Sequence, residues 1–158
     1  MNAFKLLIVM LCLSVCAIAS LGQNKPSAKA TPTPTPPAAD KADLQIKAAQ
    51  VAADHWLALV DAGKYAESWE QAAAVFKEAV AKSEWTEAAS QTRLRLGKLK
   101  TRKVKYSQVT DKIQGAPAGQ FVLLQTEAAF EQQETAKELV TLTLEKDGKW
   151  RVIGYFVQ

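Results

Sequence analysis

The sequence predicts an α+β domain whose N-terminal helices pack on one face of a curved four-stranded antiparallel sheet. Up to Gly97, apolar residues recur at three- and four-residue spacing, which is the spacing of an amphipathic helix. After Gly97, apolar and polar residues alternate, as they do along a half-buried strand. A group of helices followed by a group of strands is typical of α+β domains, whereas a parallel sheet needs helices between its strands.

The first residues of the chain have the composition of an export signal. Lys5 supplies positive charge, and residues 6–18 form an almost continuous apolar run. Ala17 and Ala19 are the small residues that a signal peptidase reads. The run is too short for a membrane-spanning helix, which needs about 20 apolar residues. We therefore expect residues 1–19 to be a cleaved signal peptide and the mature protein to be periplasmic or secreted.

Both cysteines lie inside this signal, so the mature domain is expected to have no disulfide and no thiol chemistry. An alternative is lipoprotein anchoring through Cys16, which would keep the protein on a membrane. Lipoprotein processing sites have a small residue before the cysteine, and here the bulky Val15 stands at that position. Ordinary cleavage near Ala19 or Gly22 is therefore favoured over lipidation.

A segment rich in proline, threonine and alanine follows the signal. Five of the six prolines fall between Pro26 and Pro37, and proline removes a backbone donor and restrains its neighbour. The sequence therefore predicts a disordered, extended linker over residues 20–42 and a single folded domain over residues 43–158. The linker is either an inert tail or a tether that holds the domain off a surface.

Three helical regions are predicted before Gly97. The first begins at Asp43 as N-cap and ends before Gly63, and residues 64–80 form one or two short helices. The last begins at Ser83 as N-cap and ends at Gly97. The buried stripe of the first helix consists of Ile46, Ala49, Ala53, Trp56, Leu57 and Val60, and that of the last consists of Trp85, Ala88, Ala89 and Leu96.

Four strands are predicted after Gly97, over residues 104–110, 120–130, 138–146 and 149–157. The last two flank Asp147-Gly148, a strong hairpin signal, and a two-residue turn there pairs Lys146 with Lys149. Gly154 is expected at a bulge or bend in the last strand. This register predicts that Val140, Leu142, Leu144, Ile153 and Tyr155 face the core and that Val152 and Phe156 face away from it.

Two segments carry a resemblance to a known family. Residues 56–65 with the following Ser68-Trp69, and residues 141–156, resemble bacterial domain-of-unknown-function family 4019. The resemblance covers nearly all of residues 47–158 and implies no activity and no catalytic residue. The order of elements is also similar to the nuclear-transport-factor-2-like and cystatin-like cone folds, which host enzymes and plain binding modules alike.

No catalytic residue, metal site or cofactor is predicted. His55 is the only histidine, and it falls about 150° from the centre of the apolar stripe of its helix, so it should face solvent. A lone histidine without cysteine does not provide the three or four ligands that zinc needs, nor the base of a serine triad. Asp61 is the best placed carboxylate for acid–base chemistry, although it could equally bond local backbone donors.

Basic residues are concentrated in one stretch, because residues 93–112 hold eight bases and one acid. One interpretation is a contact surface for an anionic envelope component or an acidic protein partner; nucleic acid is not expected for an exported domain without interleaved aromatic residues. The other, favoured interpretation is a solvated strand edge on which lysines block aggregation. The proposed contact residues are Lys98, Lys100, Arg102, Lys103 and Lys105.

Aromatic residues form the last candidate site. They either line a pocket between the helices and the sheet or, as the favoured interpretation, fill the core. The set consists of Trp56, Tyr65, Trp69, Trp85 and Tyr155. The leading prediction is a non-catalytic binding module in the bacterial cell envelope. The alternative, a small-pocket enzyme using general acid–base chemistry, would need a carboxylate or tyrosine hydroxyl with a perturbed pKa inside an apolar cavity.

Overall fold

The computed structural model describes residues 36–158, and the predicted signal peptide and the first part of the predicted linker lie outside the described residues. Helices come first and strands follow, and the strands form one antiparallel sheet in the order β1-β2-β3-β4. The predicted α+β class is therefore confirmed. The elements are α1 (Pro36–Asp61), α2 (Tyr65–Gln71), α3 (Ala74–Ala79), α4 (Lys82–Leu96), β1 (Leu99–Thr110), β2 (Phe121–Phe130), β3 (Ala136–Leu144) and β4 (Trp150–Val157).

Helix α1 begins earlier than predicted. It starts at Pro36, so Asp43 is not its N-cap and residues 36–42, which were assigned to the linker, are helical. Two prolines open the helix, and proline is tolerated in the first turn because the N–H groups there have no partner inside the helix. None of the helices between residues 36 and 158 is long and apolar enough to cross a membrane.

Gly63 ends α1 as predicted. Its φ is +74°, the left-handed conformation that favours glycine. The Gly63 N–H donates to the carbonyl of Val60 at 3.1 Å, and the Lys64 N–H donates to the carbonyl of Leu59 at 2.8 Å. These two bonds form a Schellman motif, which satisfies carbonyls that the helix end would leave free. The chain then turns directly into α2.

Helix α4 begins at Lys82, so Ser83 lies within it and is not the N-cap. The Glu84 carboxylate accepts a hydrogen bond from the Ala81 N–H at 3.1 Å and takes over the capping role. Trp85, Ala89 and Leu96 are buried as predicted. Ala88 is exposed, and the buried stripe instead includes a charged residue, Arg93.

The β3–β4 turn differs from the predicted two-residue turn. The Gly148 N–H donates to the carbonyl of Glu145 at 2.9 Å, and the Glu145 N–H donates to the carbonyl of Lys149 at 3.0 Å. Residues 146–148 therefore form a three-residue loop with Gly148 at φ +76°, an arrangement typical of such hairpins. Lys149 lies opposite Glu145 and not opposite Lys146. Next to the turn, the pairing of β3 with β4 therefore differs by one residue from the predicted register.

A bulge then restores the predicted register further along. Leu142 pairs with Val152, but Thr141 pairs with Gly154, so Ile153 is the extra residue, next to the predicted position. Val152 is consequently buried in the main core, and the prediction that it faces away was wrong. Ile153 belongs to a separate apolar cluster with Ala73 and Phe121. Tyr155 and Phe156 lie on the predicted sides, opposite Val140 and Leu139 respectively.

The main core lies between α1 and one face of the sheet, called here the inner face. Buried side chains of α1 pack on alternate residues of β2 and β3, which lie side by side in the middle of the sheet. Indole groups tie the helices together: Trp56 Nε1 donates to the Ser68 carbonyl at 2.7 Å, and Trp85 Nε1 donates to Ser68 Oγ at 2.9 Å. The fully buried strand residues include Val122, Leu124, Val140 and Leu142.

Candidate functional site

Four charged side chains meet between the helices and the inner face of the sheet. Asp61 is the last residue of α1, and Arg93 lies in the last turn of α4 on its buried stripe. Arg102 lies on β1 opposite Ala128, and Glu138 lies on β3 opposite Thr126. With Thr126 and Tyr155, these residues form what we call the central cluster: Asp61, Arg93, Arg102, Thr126, Glu138 and Tyr155.

Arg102 is the hub of the central cluster. Its Nη1 and Nη2 donate to the two carboxylate oxygens of Asp61 at 2.7 and 3.0 Å. Its Nε and Nη2 donate to the two carboxylate oxygens of Glu138 at 2.5 and 3.0 Å. A guanidinium between two carboxylates uses its donors in pairs, which gives strong and geometrically specific ion pairs.

Glu138 has no exposed surface, so its charge depends entirely on protein donors. Besides Arg102, the hydroxyl of Tyr155 donates to its Oε1 at 2.6 Å and the hydroxyl of Thr126 donates to its Oε2 at 3.2 Å. Nη2 of Arg93 lies 3.6 Å from Oε1. Removal of one partner from such a site is costly because it leaves a buried charge without compensation.

Arg93 completes the central cluster from the helix side. Its Nη2 lies 2.8 Å from Asp61 Oδ1 and donates to the hydroxyl oxygen of Tyr155 at 3.0 Å. Its guanidinium lies 5.0 Å from the centre of the Phe130 ring, a cation–π distance. Its Nε is buried without a hydrogen-bond partner among the described residues. Two guanidinium groups face two carboxylates, so the four formal charges cancel.

The surroundings fix the protonation state of two members of the central cluster, Tyr155 and Arg102. Burial raises the pKa of the Tyr155 hydroxyl above its ordinary value, and the neighbouring Glu138 charge raises it further. Burial acts to lower the pKa of Arg102, but hydrogen bonds to Asp61 and Glu138 outweigh it and raise this pKa overall. Tyr155 therefore stays a neutral donor and Arg102 stays a cation at physiological pH.

The predicted aromatic residues lie close to the central cluster. The rings of Trp56 and Trp85 lie 5.5 Å apart, and Tyr155 lies 5.5 Å from Trp56 and 6.3 Å from Trp85. Trp56 is 2% exposed and Trp85 is 8% exposed, while Tyr65 and Trp69 pack at the margin of the same core. Trp56, Trp85 and Tyr155 thus fill the space between the helices and the sheet with their own rings.

The five predicted basic residues do not all face solvent. Lys98, Lys100, Lys103 and Lys105 are exposed, but Arg102 points into the central cluster. The prediction that Arg102 belongs to one contact surface with Lys98 and Lys100 was wrong, because β1 begins at Leu99 and its register shifts between Leu99 and Thr101.

Two charged members of the central cluster were missed from the sequence although each left a signal. Glu138 occupies a core-facing position of an alternating strand, two residues before Val140, and a charged residue there implies a buried partner. Arg93 lies four residues after Ala89 and three before Leu96, on the buried stripe of α4. His55 is exposed as predicted. Within residues 36–158, no three His, Cys, Asp or Glu side chains are placed to hold a metal ion.

Comparison with known families agrees with the resemblance noted in the sequence. The family model described as "Protein of unknown function (DUF4019)" matches residues 52–155, which include every member of the central cluster. No curated protein matches the chain. Because the family model spans well over half of the 158 residues, the chain belongs to the DUF4019 family.

Proposed function

We propose that this protein is a non-catalytic binding module, exported to the cell envelope, that contacts an anionic envelope component through exposed lysines. Those lysines, called here the lysine surface, are Lys98, Lys100, Lys103 and Lys105. One observation carries the proposal: the charged groups inside the domain are engaged with one another, whereas the charges of the lysine surface face solvent. Export is an expectation from the composition of residues 1–19.

Among the described residues, the buried groups Glu138 and Tyr155 are poorly suited to general acid–base chemistry. A general base must come within hydrogen-bond reach of the proton it removes. Glu138 has no exposed surface and already accepts hydrogen bonds from Arg102, Thr126 and Tyr155. The Tyr155 hydroxyl is kept protonated by its raised pKa and donates to Glu138. These contacts favour a structural role for the central cluster.

The lysine surface still has a positive field when the ion pairs inside the domain are taken into account. The charges of Arg93 and Arg102 are compensated by Asp61 and Glu138. Lys105 pairs with Glu127 at 3.2 Å, an exposed contact that contributes little. The field therefore comes mainly from the other three lysines, which are free to attract phosphate-bearing lipid headgroups or phosphate-bearing wall polymers.

The decisive experiment compares two triple variants with the same change in charge. In the test variant, Lys98, Lys100 and Lys103 become glutamine. In the control variant, three exposed lysines elsewhere, Lys47, Lys112 and Lys146, become glutamine. Arg102 is not substituted, because its loss would leave the buried Glu138 carboxylate without its main partner.

Binding is measured by co-sedimentation with phosphatidylglycerol vesicles and with a poly(glycerol phosphate) polymer, each over a salt series. We expect binding that weakens steeply with salt, since the Debye length falls from about 10 Å at 0.1 M to about 3 Å at 1 M. The test variant should bind less than the control variant, and the better probe identifies the source of the phosphate. Equal binding by the two variants, or binding to neither probe, would overturn the proposal.

The small-pocket enzyme is the second candidate, and one observation favours it: a tyrosine hydroxyl with a raised pKa lies beside a buried carboxylate. Such perturbed groups are concentrated at active sites, although structural ion-pair networks produce them as well. An activity screen that compares the parent protein with Tyr155→Phe tests this candidate. A hydrolase or isomerase activity that is lost in Tyr155→Phe, while the fold is kept, would favour it over the binding module.

A further inference from the structure

A small apolar cavity lies beside β4, which is the edge strand on the other side of the sheet from β1. Its volume is about 90 Å³, roughly the space of three water molecules. It is bounded by α3 and α4, by the loop after β1 and by β4, and none of its lining residues is charged. The residues that matter for the argument are Phe76, Trp85, Ile113, Thr141, Gly154 and Phe156.

Gly154 keeps this cavity open, although the fold does not require a glycine there. Its φ lies outside the left-handed region, unlike that of Gly148. A Cβ at Gly154 would lie 3.8 Å from the Thr141 side chain and 3.9 Å from Phe156, which are ordinary contact distances. A glycine inside a strand weakens the strand and often marks a place where a ligand or another backbone approaches closely.

The adjoining edge of β4 has unpaired backbone groups. Lys137 and Gln158 exchange two hydrogen bonds, at 2.8 and 2.9 Å. Because hydrogen-bonded and non-hydrogen-bonded pairs alternate in an antiparallel ladder, Tyr155 and Val157 turn their N–H and C=O groups away from β3. Within residues 36–158 no group bonds to them, whereas further back the Val152 carbonyl accepts from the Ala73 N–H at 2.9 Å.

We propose that this edge binds an extended peptide segment of a partner protein as a fifth strand. The peptide backbone pairs with Tyr155 and Val157, and one uncharged aliphatic side chain of the peptide enters the cavity over Gly154. Strand addition of this kind takes its affinity from main-chain hydrogen bonds and its specificity from side-chain pockets. The site lies on the opposite edge of the sheet from the lysine surface and does not depend on the function proposed for that surface.

The lining of the cavity argues for this occupant. A charged side chain would be buried among apolar groups without a partner, so the absence of charge in the lining selects a neutral side chain. The volume suits a single branched aliphatic group rather than a whole cofactor. The unpaired groups of Tyr155 and Val157 require a partner with a backbone of its own, which a small apolar molecule lacks.

The test is an amide-resolved NMR titration of the protein with two blocked peptides, acetyl-Thr-Val-Leu-Val-Thr-amide and the same peptide with aspartate in place of leucine. The leucine peptide should shift the amide signals of Tyr155 and Val157 saturably, and the aspartate peptide should not. Gly154→Val should weaken binding by about tenfold or more, as loss of a central buried anchor does. Ala129→Val, which places the same valine side chain on β2 far from the cavity, should bind like the parent.

Three outcomes would overturn the proposal. The first is equal binding by Gly154→Val and the parent. The second is the absence of saturable shifts at Tyr155 and Val157. The third is a shift of these amides with protein concentration alone, which would make a second copy of the chain the occupant. If Gly154→Val does not fold, Gly154→Ala replaces it, since its Cβ meets only ordinary contacts.

Discussion

Arg102 and Glu138 form a two-bond ion pair across an intervening strand. They lie on β1 and β3, which flank β2, so the Arg102 side chain crosses β2 to reach the Glu138 carboxylate. Ala128, the residue of β2 opposite Arg102, is buried and has only a methyl group, which leaves room on this face for the longer arginine side chain. Arg102 is therefore the main partner of the buried carboxylate, with Tyr155 and Thr126 as further donors.

The first prediction concerns the loss of Arg102. Arg102→Gln leaves Glu138 buried without its main partner, and it should lower the free energy of unfolding by about 3–5 kcal/mol. Arg95→Gln is the control, because Arg95 is an exposed base on α4, and it should change stability by less than about 0.5 kcal/mol. Urea unfolding followed by tryptophan fluorescence measures both. Similar losses for the two variants would show that the ion pair contributes no more than a surface charge.

The second prediction concerns the hydroxyl of Tyr155. Tyr155→Phe keeps the ring against Trp56 and Trp85 but removes the donor to Glu138. Loss of a buried bond to a charged group should cost about 1.5–3 kcal/mol. The matched control is Tyr106→Phe, since the Tyr106 hydroxyl is exposed and bonds only Gln108, at 3.3 Å. Thermal unfolding should separate the two, and coincident melting curves would contradict the role given to Tyr155.

The third prediction concerns the pKa of Asp147. Hydrogen bonds from the Arg151 side chain lower this pKa to about 2 from its ordinary value of 3.8. Because the folded-state pKa is depressed, the associated stability is present above pH 3.8 and is lost as the pH falls toward 2. NMR titration of the Asp147 carboxyl should give the low midpoint in the parent.

Arg151→Gln should move that midpoint back up toward the ordinary value, whereas Lys82→Gln, at a distant ion pair with Glu70, should leave it in place. An unchanged midpoint in Arg151→Gln would mean that the contact between Arg151 and Asp147 does not persist in solution.

The fourth prediction compares two glycines that both have a positive φ. Gly148 and Gly97 have φ angles of +76° and +74°. A Cβ at Gly148 meets nothing within 4 Å, so Gly148→Ala should cost only the strain of the left-handed conformation, about 1 kcal/mol. A Cβ at Gly97 would lie 2.8 Å from the Cβ of Glu131, so Gly97→Ala should cost clearly more. Equal melting temperatures for the two variants would contradict this ranking.

Structural features that depend on residues close in the sequence could be predicted from the sequence. The stops at Gly63 and Gly97 and the hairpin turn that contains Gly148 follow from local backbone chemistry, and all three are found where they were predicted. The start of α1 was missed because Pro36 and Pro37 were interpreted as breakers, although a first turn accepts proline.

Structural features that depend on residues far apart in the sequence could not be predicted in this way. The shift that buries Val152 arises from a three-residue loop in place of a two-residue one, and the sequence Asp147-Gly148 is compatible with both. The contact between Arg102 and Glu138 joins positions 36 residues apart, so the spacing of charges along the chain did not reveal it. Arg93 and Arg102 were interpreted as part of an exposed basic stretch for the same reason, since their carboxylate partners are distant in the sequence.

The central cluster also bears on how the domain opens. It includes residues of α1, α4 and all four strands, so the helical layer cannot separate from the sheet without exposing Glu138 and both arginines together. Amides of α1 and of β3 should therefore exchange with solvent through one shared, domain-wide opening. Backbone amides should exchange faster, through local fluctuations, only in the 146–148 loop and along the outer edge of β4. A partner strand would have to bind at that edge.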